Sequence, residues 1–393
     1  MHLLIAGGGT GGHIYPALAV VDALRRRPNP PDVRWLGGHR GLEDRIVPGA
    51  GIALRRLALR SLRTVDRDVH LVLDPIRLGL SLPQALVIMA RERPAAIFTT
   101  GGYVAIPVLL AARLLGIPTL LWEGNIVPGR SVRATAGLAS AVAVSFTATC
   151  EALGLAGAGP AEPGSDRPCL ETGTPIRETR TIDRLAARER LGVAAGEQLV
   201  LVFGGSQAVR RLNDAVAEVL PRLVERVHLI HVTGDAGYAA ALAARARLGD
   251  AQRPRYRPAP FLRDDMLEAL AAADLVVGRA GSSTLAEVTA MSLPMVVVPY
   301  PHAGGHQRAN AAILSEAGAA RLVDDAAFDG PALLEALRIL DDPSTHARMG
   351  AAARALGRPG AAEAVATMLL ALADRRPIPD AQAIARIARG DVA

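Results

Sequence analysis

At 393 residues, half of them hydrophobic and only 3% aromatic, the chain has room for two domains, each with its own core. It contains no lysine, so all 44 basic residues are arginine, and a G-x-x-x-x-G-K-[ST] phosphate loop is excluded for want of its lysine. Residues 1–165 carry 17 arginines against 11 acidic residues, and 166–393 carry 27 against 27, so the net charge of +6 lies wholly in the first part. That excess points to an anionic partner, membrane surface or nucleic acid, or serves solubility alone.

Residues 3–6 form a short apolar run that reads as a buried strand, and 7–13 are a glycine-rich turn into a helix near 15–27. Further strands are expected at 33–36, at 96–99 before Gly101, Gly102 and Tyr103, and at 119–122 before Glu123, Gly124 and Asn125. The second half repeats the plan: strands at 199–203, 229–232, 275–277 and 295–298, each ending in a glycine or polar loop. Each half therefore reads as a β/α unit with ligand loops at the carboxyl ends of parallel strands, and two such units would face each other across a cleft. Residues 154–168, rich in Gly, Pro and Ala, read as a loop near the boundary, with the hinge near 173–177. The expected domains are 1–175, 176–356, and 357–393 as a helix returning to the first domain plus a tail without assignment.

The opening residues are too short an apolar stretch for a signal peptide, and the longest apolar run, 104–116, is broken by Pro107 and Arg113. Cys150 and Cys169 stand 19 apart with no C-x-x-C, which indicates neither a metal cluster nor a disulfide framework and fits a reducing cytoplasm.

The most informative stretch runs from Asp274 to Asn310. A strand ends in glycine, and Gly281, Ser283 and Thr284 open a helix whose first N–H groups lack partners and whose dipole is positive, a site for phosphate oxygens. Glu287, one turn on, either complements the helix N-terminus or accepts hydrogen bonds from a ribose diol. Arg279 pairs with a phosphate or with a neighbouring carboxylate. Gln307 and Asn310, three apart, share a helix face and suit sugar hydroxyls, or decorate a surface. The stretch reads as a nucleotide-diphosphate site.

Gly7, Gly9 and Gly12 spell G-x-G-x-x-G, but a dinucleotide site wants an acid at the end of the second strand, and none occurs until Glu43. The turn also fits a pyrophosphate approaching the backbone. His13, at the start of the following helix, is a capping or solvated histidine, or a general base kept neutral by the helix N-terminus. Asp66 and Asp68 read as a solvated face, not a metal site. Residues 75–89 are apolar and flanked by Arg55, Arg56, Arg60, Arg63, Arg67, Arg91 and Arg93, which suits an anionic leaflet, although a core helix explains 86–89 equally well. No aromatics interleave the arginines, so a nucleic-acid partner is not expected.

The loops at 8–13, 101–104, 123–125, 203–207, 279–287 and 301–310, in this order, resemble those of the MurG-type N-acetylglucosaminyltransferases of bacterial peptidoglycan synthesis, over about residues 1–373. The resemblance implies an α/β fold of the GT-B type. It also implies transfer of N-acetylglucosamine from its UDP donor to the muramoyl 4-hydroxyl of lipid I, with inversion, to give lipid II. Donor contacts would come from Glu287 to the ribose, Ser206, Ser283 and Thr284 to the diphosphate, Gln307 and Asn310 to the sugar, and Arg177 and Arg279, with Thr10, Gly11, Gly12 and Asn125 also in reach. Acceptor contacts would come from Gly9, Thr10, Gly12, His13, Tyr103, Glu123 and Asn125, with His13 the candidate base. No cofactor beyond the donor and no metal would be required. The implied partners are lipid I, anionic lipid and other cell-wall enzymes, at the cytoplasmic face of the cell membrane. Gly124, Thr174, Ala208, Val209, Gly304 and Gly305 depart from the family's usual residues. Rival readings are another lipid or natural-product transferase of the same superfamily, or a UDP-N-acetylglucosamine 2-epimerase.

Overall fold

A computed structural model describes residues 1–39, 41–60, 70–155, 167–179, 181–204, 209–262 and 265–391, the side chains of 60 and 70–76 aside. Ser206 and the pair Asp66 and Asp68 lie outside the described residues. The chain forms two compact units, one of Met1–Glu178 with Arg358–Ala393, the other of Thr179–Gly357.

The first unit is built on a parallel sheet of β1 (His2–Ala6), β2 (Asp32–His39), β3 (Ala53–Arg60), β4 (Ala96–Thr99), β5 (Thr119–Glu123), β6 (Ala141–Val144) and β7 (Cys169–Glu171), in the order β3-β2-β1-β4-β5-β6-β7. The run Leu3 to Ala6 is apolar on both faces because both are covered. Leu3 and Ile5 join one core with Trp35 and Phe98, while Leu4 and Ala6 join the other with Leu36, Leu57 and Ile97. The second unit holds β8 (Leu199–Phe203), β9 (His228–Val232), β10 (Tyr256–Ala259), β11 (Leu275–Gly278), β12 (Met295–Val297) and β13 (Ala320–Leu322), in the parallel order β10-β9-β8-β11-β12-β13. Both orders reverse direction once, between β1 and β4 and between β8 and β11. Open α/β sheets bind ligands at such switch points, because the loops leaving the two strands there part to opposite faces.

Several features depart from expectation. Strand β3 is absent from the sequence reading because its arginines mask the alternation. It is an edge strand, where charge is tolerated and discourages pairing with another chain. Two of those arginines are already engaged, Arg55 with Glu92 at 3.3 Å and Arg56 with Asp44 at 2.6 Å. The tail is not an appendage. Asp380 caps the helix Ala381–Arg389 by accepting the Ala383 N–H, Gly390 ends it at φ 79°, and Ile384 and Ala388 are buried with the helix Ala361–Ala373 in the first unit's core.

The cysteines also need correction, since the structure joins Cys150 to Cys169 in a disulfide with Cα atoms 5.9 Å apart. The helix Ala148–Ala152 follows β6 directly, and β7 pairs with β6, with Cys169 opposite Val142. Sequence spacing shows nothing of that proximity, and cysteine usage no longer argues for a reducing compartment.

In the second unit, buried His231 bridges the Tyr256 hydroxyl (3.0 Å) and the Asn213 side-chain oxygen (2.9 Å). Asn213 donates its own amide to the Thr233 carbonyl, so His231 Nε2 carries the proton and Nδ1 accepts from the phenol. Burial lowers the His231 pKa from 6.5 to about 4. The unfolded chain therefore takes up a proton that the folded one refuses. This stabilising contribution is complete above the unfolded pKa and drains away as pH falls from 6.5 toward 4. Replacing His231→Gln is expected to remove about one proton from the pH dependence of unfolding across that window, read from denaturation midpoints against pH. An unchanged slope would show that His231 does not titrate as its burial dictates.

Candidate active site

At the first switch point the backbone passes from β1 through Gly7 to Gly12 into the helix Gly11–Arg25, and β4 ends beside it at Thr100 to Gly102. His13 and Thr100 tie the two loops together reciprocally. His13 Nδ1 lies 2.7 Å from the Thr100 carbonyl oxygen, and the Thr100 hydroxyl donates to the His13 carbonyl at 3.0 Å. A carbonyl only accepts, so Nδ1 carries the proton, and in the neutral ring Nε2 presents its lone pair. The Nε2 side borders Gly102, where an added Cβ would lie 3.7 Å away. Gly102 has φ 75° and Gly101 φ 82°, left-handed conformations that favour glycine.

Below this turn lies a residue that sequence reasoning mentioned only as an acid arriving too late. Glu43 is completely buried and accepts hydrogen bonds from the Gly9 N–H (2.9 Å), the Gly38 N–H (3.3 Å) and the Tyr103 hydroxyl (2.9 Å). Its position just after β2, where a dinucleotide enzyme carries its ribose acid, was the available signal. Gly9, read as an acceptor contact, thus donates its N–H to Glu43, and Tyr103, read likewise, donates a hydrogen bond from its hydroxyl to the same carboxylate. Burial first, then the charge of Glu43, push the Tyr103 phenol well above its ordinary pKa and keep the proton on the oxygen. Gly11 and Gly12 carry the first N–H groups of the helix, which the helix itself does not pair. Thr10, Gly11 and His13 are half-buried and Gly12 is exposed.

Glu123 is also turned inward. One carboxylate oxygen accepts the Asn125 backbone and side-chain N–H groups at 2.9 Å each, and the other accepts the Gly129 N–H at 3.1 Å. It shapes the loop that carries Asn125. Among the departures from the family pattern, Thr174 is buried with its hydroxyl 2.6 Å from that of Ser145. Arg177 is half-buried in the last stretch of the first unit.

At the second switch point, β11 ends in Gly278, where a Cβ would stand 2.7 Å from the Phe203 carbonyl oxygen of neighbouring β8. The helix Ser282–Ala290 follows, with Gly281 at its N-cap and no side chain capping it. Ser282, Ser283, Thr284 and Glu287 are all half-buried around that first turn. An uncapped helix start with small residues leaves N–H groups directed at an approaching anion.

The loop before this helix is held by side chains expected at the ligand. Gln307 accepts with one oxygen from the Ala280 N–H (3.2 Å) and the Tyr300 N–H (2.9 Å), while wholly buried Asn310 donates to the Ala280 carbonyl at 3.3 Å. Both amides indeed share one face of the helix His306–Glu316, and that face meets the loop. Arg279, 4% exposed, pairs with Asp325 at 2.5 Å, donates to the Val298 carbonyl at 3.1 Å, and lies over the Tyr300 ring at 5.5 Å. Of the two partners expected for it, the structure gives Arg279 the carboxylate. Asp325 sits 46 residues downstream, and no signal in the sequence joins the two. Gly304 and Gly305, another departure, adopt φ 58° and 82° just before that helix, a path for which glycine is suited.

Two parallel α/β units, each with loops gathered at the switch point of its sheet, define a fold class that serves more than one activity, and the comparisons assign the family. The glycosyltransferase family 28 N-terminal domain matches residues 3–144 and the family 28 C-terminal domain matches 199–365, so the chain belongs to glycosyltransferase family 28. It is 40% identical over 382 residues to the "UDP-N-acetylglucosamine--N-acetylmuramyl-(pentapeptide) pyrophosphoryl-undecaprenol N-acetylglucosamine transferase" of Desulforudis audaxviator, covering 95% of this chain and 99% of that one. The protein of the same name from Moorella thermoacetica is 37% identical, with 94% and 98% covered. Within family 28, this chain belongs with these transferases. The crystal structure of Acinetobacter baumannii MurG superposes with a TM-score of 0.70 at 28% identity, over 94% of this chain and 99% of that one. A putative UDP-N-acetylglucosamine 2-epimerase from Listeria monocytogenes, 16% identical with a TM-score of 0.67 over 96% and 98%, shares the fold alone.

Proposed function

We propose that this protein transfers N-acetylglucosamine from UDP-N-acetylglucosamine to the muramoyl 4-hydroxyl of lipid I, giving lipid II with inversion at the anomeric carbon. The observation that carries this reading is near full-length identity of 40% to a transferase so named, with a glycine loop at the switch point of each sheet. Inversion needs one displacement, hence one base and no covalent intermediate. His13 Nε2 takes the proton of the attacking hydroxyl while Nδ1 keeps its own proton, donated to the Thr100 carbonyl, which holds ring and tautomer. The bond from the anomeric carbon to UDP breaks as the new bond forms. The N–H groups at Ser282 to Thr284 and the dipole of their helix receive the charge that develops on the departing diphosphate. Glu287 accepts hydrogen bonds from the ribose diol. Asn310, Gln307 and Arg279 act one step back by fixing the backbone at 279–281. No cofactor besides the donor is part of this scheme.

The decisive experiment incubates the protein with labelled UDP-N-acetylglucosamine and a short-chain lipid I analogue and separates the products. A labelled disaccharide lipid, with UDP released only when the acceptor is present, is the expected result. UDP release without acceptor, or an epimerised free sugar, would replace the transferase reading with the epimerase one. Transfer to a diacylglycerol instead would place the chain among the other lipid transferases.

No helix among the described residues is long and apolar enough to cross a membrane. Contact with the cytoplasmic leaflet is instead assigned to two packed helices of the first unit. Leu80 (55% exposed) and Val87 (49%), seven apart, share a face of the helix His70–Glu92, while Leu110 and Leu114 (70%), four apart, share one on Ala105–Leu115. Ala85 and Met89 of the same first helix are fully buried, so its other face is ordinary core. Arg77, Arg91 and Arg113 lie on these helices and suit anionic lipid. Burying a leucine is worth about 1.5–3 kcal/mol, so Leu80→Asp with Leu114→Asp is expected to weaken binding to anionic vesicles by roughly tenfold or more. Turnover of a water-soluble acceptor analogue should be unchanged. Undiminished sedimentation with vesicles would move the membrane contact elsewhere.

A further inference from the structure

The glycine-rich turn is shaped from beneath by a carboxylate. A Cβ at Gly8 or at Gly41 would overlap the Glu43 carboxylate, one at Gly37 would stand 3.1 Å from its Cγ, and one at Gly38 would overlap the Tyr103 hydroxyl. Gly8, Gly38 and Gly41 therefore leave the room that this acid and its phenol occupy, with Gly37 packed close beside them. A buried carboxylate without donors is costly, and here three donors, from three different segments, converge on it. Because the Gly9 N–H points down to Glu43, the carbonyl of the same peptide, that of Gly8, points the other way. A Cβ at Gly102 would meet that carbonyl oxygen at 3.6 Å and His13 Nε2 at 3.7 Å, so the Gly8 carbonyl and the imidazole border the same point.

We infer that Glu43 is a positioning residue for the acceptor half of the reaction: with Tyr103 it clamps the Gly8–Gly9 peptide and so sets the path of the turn beside His13. This deepens the transferase reading and rests on it. It also reassigns the turn. With the Gly9 amide spent on Glu43, the anion of the acceptor is left to the N–H groups of Gly11 and Gly12. The residues of the clamp all belong to the first unit, whereas the ribose and diphosphate contacts of the donor are assigned to the second, so the affinity for UDP should be indifferent to it.

The test is steady-state kinetics of Glu43→Gln with the lipid I analogue, beside calorimetric titration with UDP and a thermal melt. Glutamine keeps the size of the side chain, but its NH2 cannot accept from the Gly9 N–H or from the Gly38 and Tyr103 donors. The expected result is an acceptor KM raised at least tenfold, with the UDP Kd within twofold of wild type. A residue that merely stabilises the fold would lower the melting temperature and leave the acceptor KM alone. An acceptor KM within twofold of wild type overturns the inference. Should Glu43→Gln fail to fold, Tyr103→Phe, which removes one donor only, decides in its place. A threefold or larger rise in acceptor KM supports the clamp, and an unchanged one overturns it. If the wild type makes no product from the analogue while still binding UDP, the function reading itself fails, and the clamp's assignment to acceptor positioning fails with it.

Discussion

Replacing His13→Ala is expected to lower kcat by roughly a hundred- to ten-thousand-fold while leaving the Kd for UDP-N-acetylglucosamine within a factor of two. The magnitude follows from the role proposed for the side chain. A positioned base removes the proton of the attacking hydroxyl in the transition state, and losing a factor of a thousand corresponds to about 4 kcal/mol of barrier. The geometry makes this more than a guess from residue type. His13 Nδ1 is committed at 2.7 Å to a backbone carbonyl, so the ring has one tautomer and one orientation, with Nε2 as its only basic nitrogen. The carbonyl partner comes from the residue just past β4, across the switch point, and it persists whatever side chain stands at position 100. Thr100→Val, which removes the hydroxyl bonded to the His13 carbonyl but not the acceptor for Nδ1, should therefore cost far less than loss of the imidazole. Retention of more than a tenth of wild-type kcat in His13→Ala would assign the base to another group.

The second large effect is expected at Glu287, and it falls on binding instead of turnover. Hydrogen bonds to a charged partner contribute about 1.5–3 kcal/mol each, so a carboxylate accepting from both ribose hydroxyls accounts for roughly a hundredfold or more in affinity. Glu287→Ala should weaken UDP and UDP-N-acetylglucosamine to that extent, with kcat at saturating donor much less affected. Glu287→Gln, which keeps one acceptor oxygen, should fall between. The ribose can be tested directly with 2′-deoxy-UDP. Wild type should bind it more weakly than UDP, and Glu287→Ala should scarcely distinguish the two, because the lost hydroxyl and the lost carboxylate are partners in one interaction. Equal affinity of Glu287→Ala and wild type for UDP would remove the residue from the donor site.

The central strands and the two glycine loops were legible in the chain because strands buried on both faces must be apolar throughout. Runs such as Leu3 to Ala6 and Leu199 to Phe203 have no other economical explanation. The loops follow from those strands, since a glycine immediately after an apolar run marks where backbone approaches something closely. Strands at the edge were not legible: β3 carries three arginines and β7 is three residues long, so neither shows a hydrophobic period. The helix Ala381–Arg389 was passed over for a related reason, since only its Ile384 and Ala388 are deeply buried.

Sequence by itself determined the class of fold, the absence of a lysine phosphate loop, and the side chains gathered near each loop, because these depend on composition and on spacings shorter than one β/α unit. Tertiary structure alone decided what those side chains face. Gln307 and Asn310 share a helix face as their spacing requires, yet the face meets the backbone at Ala280. Arg279 finds Asp325, Cys150 finds Cys169, and Glu43 gathers donors from Gly9, Gly38 and Tyr103. A polar side chain is satisfied by whichever partner the packed chain brings within hydrogen-bond reach. Partners 30 to 60 residues away are set by the order of strands in the sheet, a property no local pattern encodes.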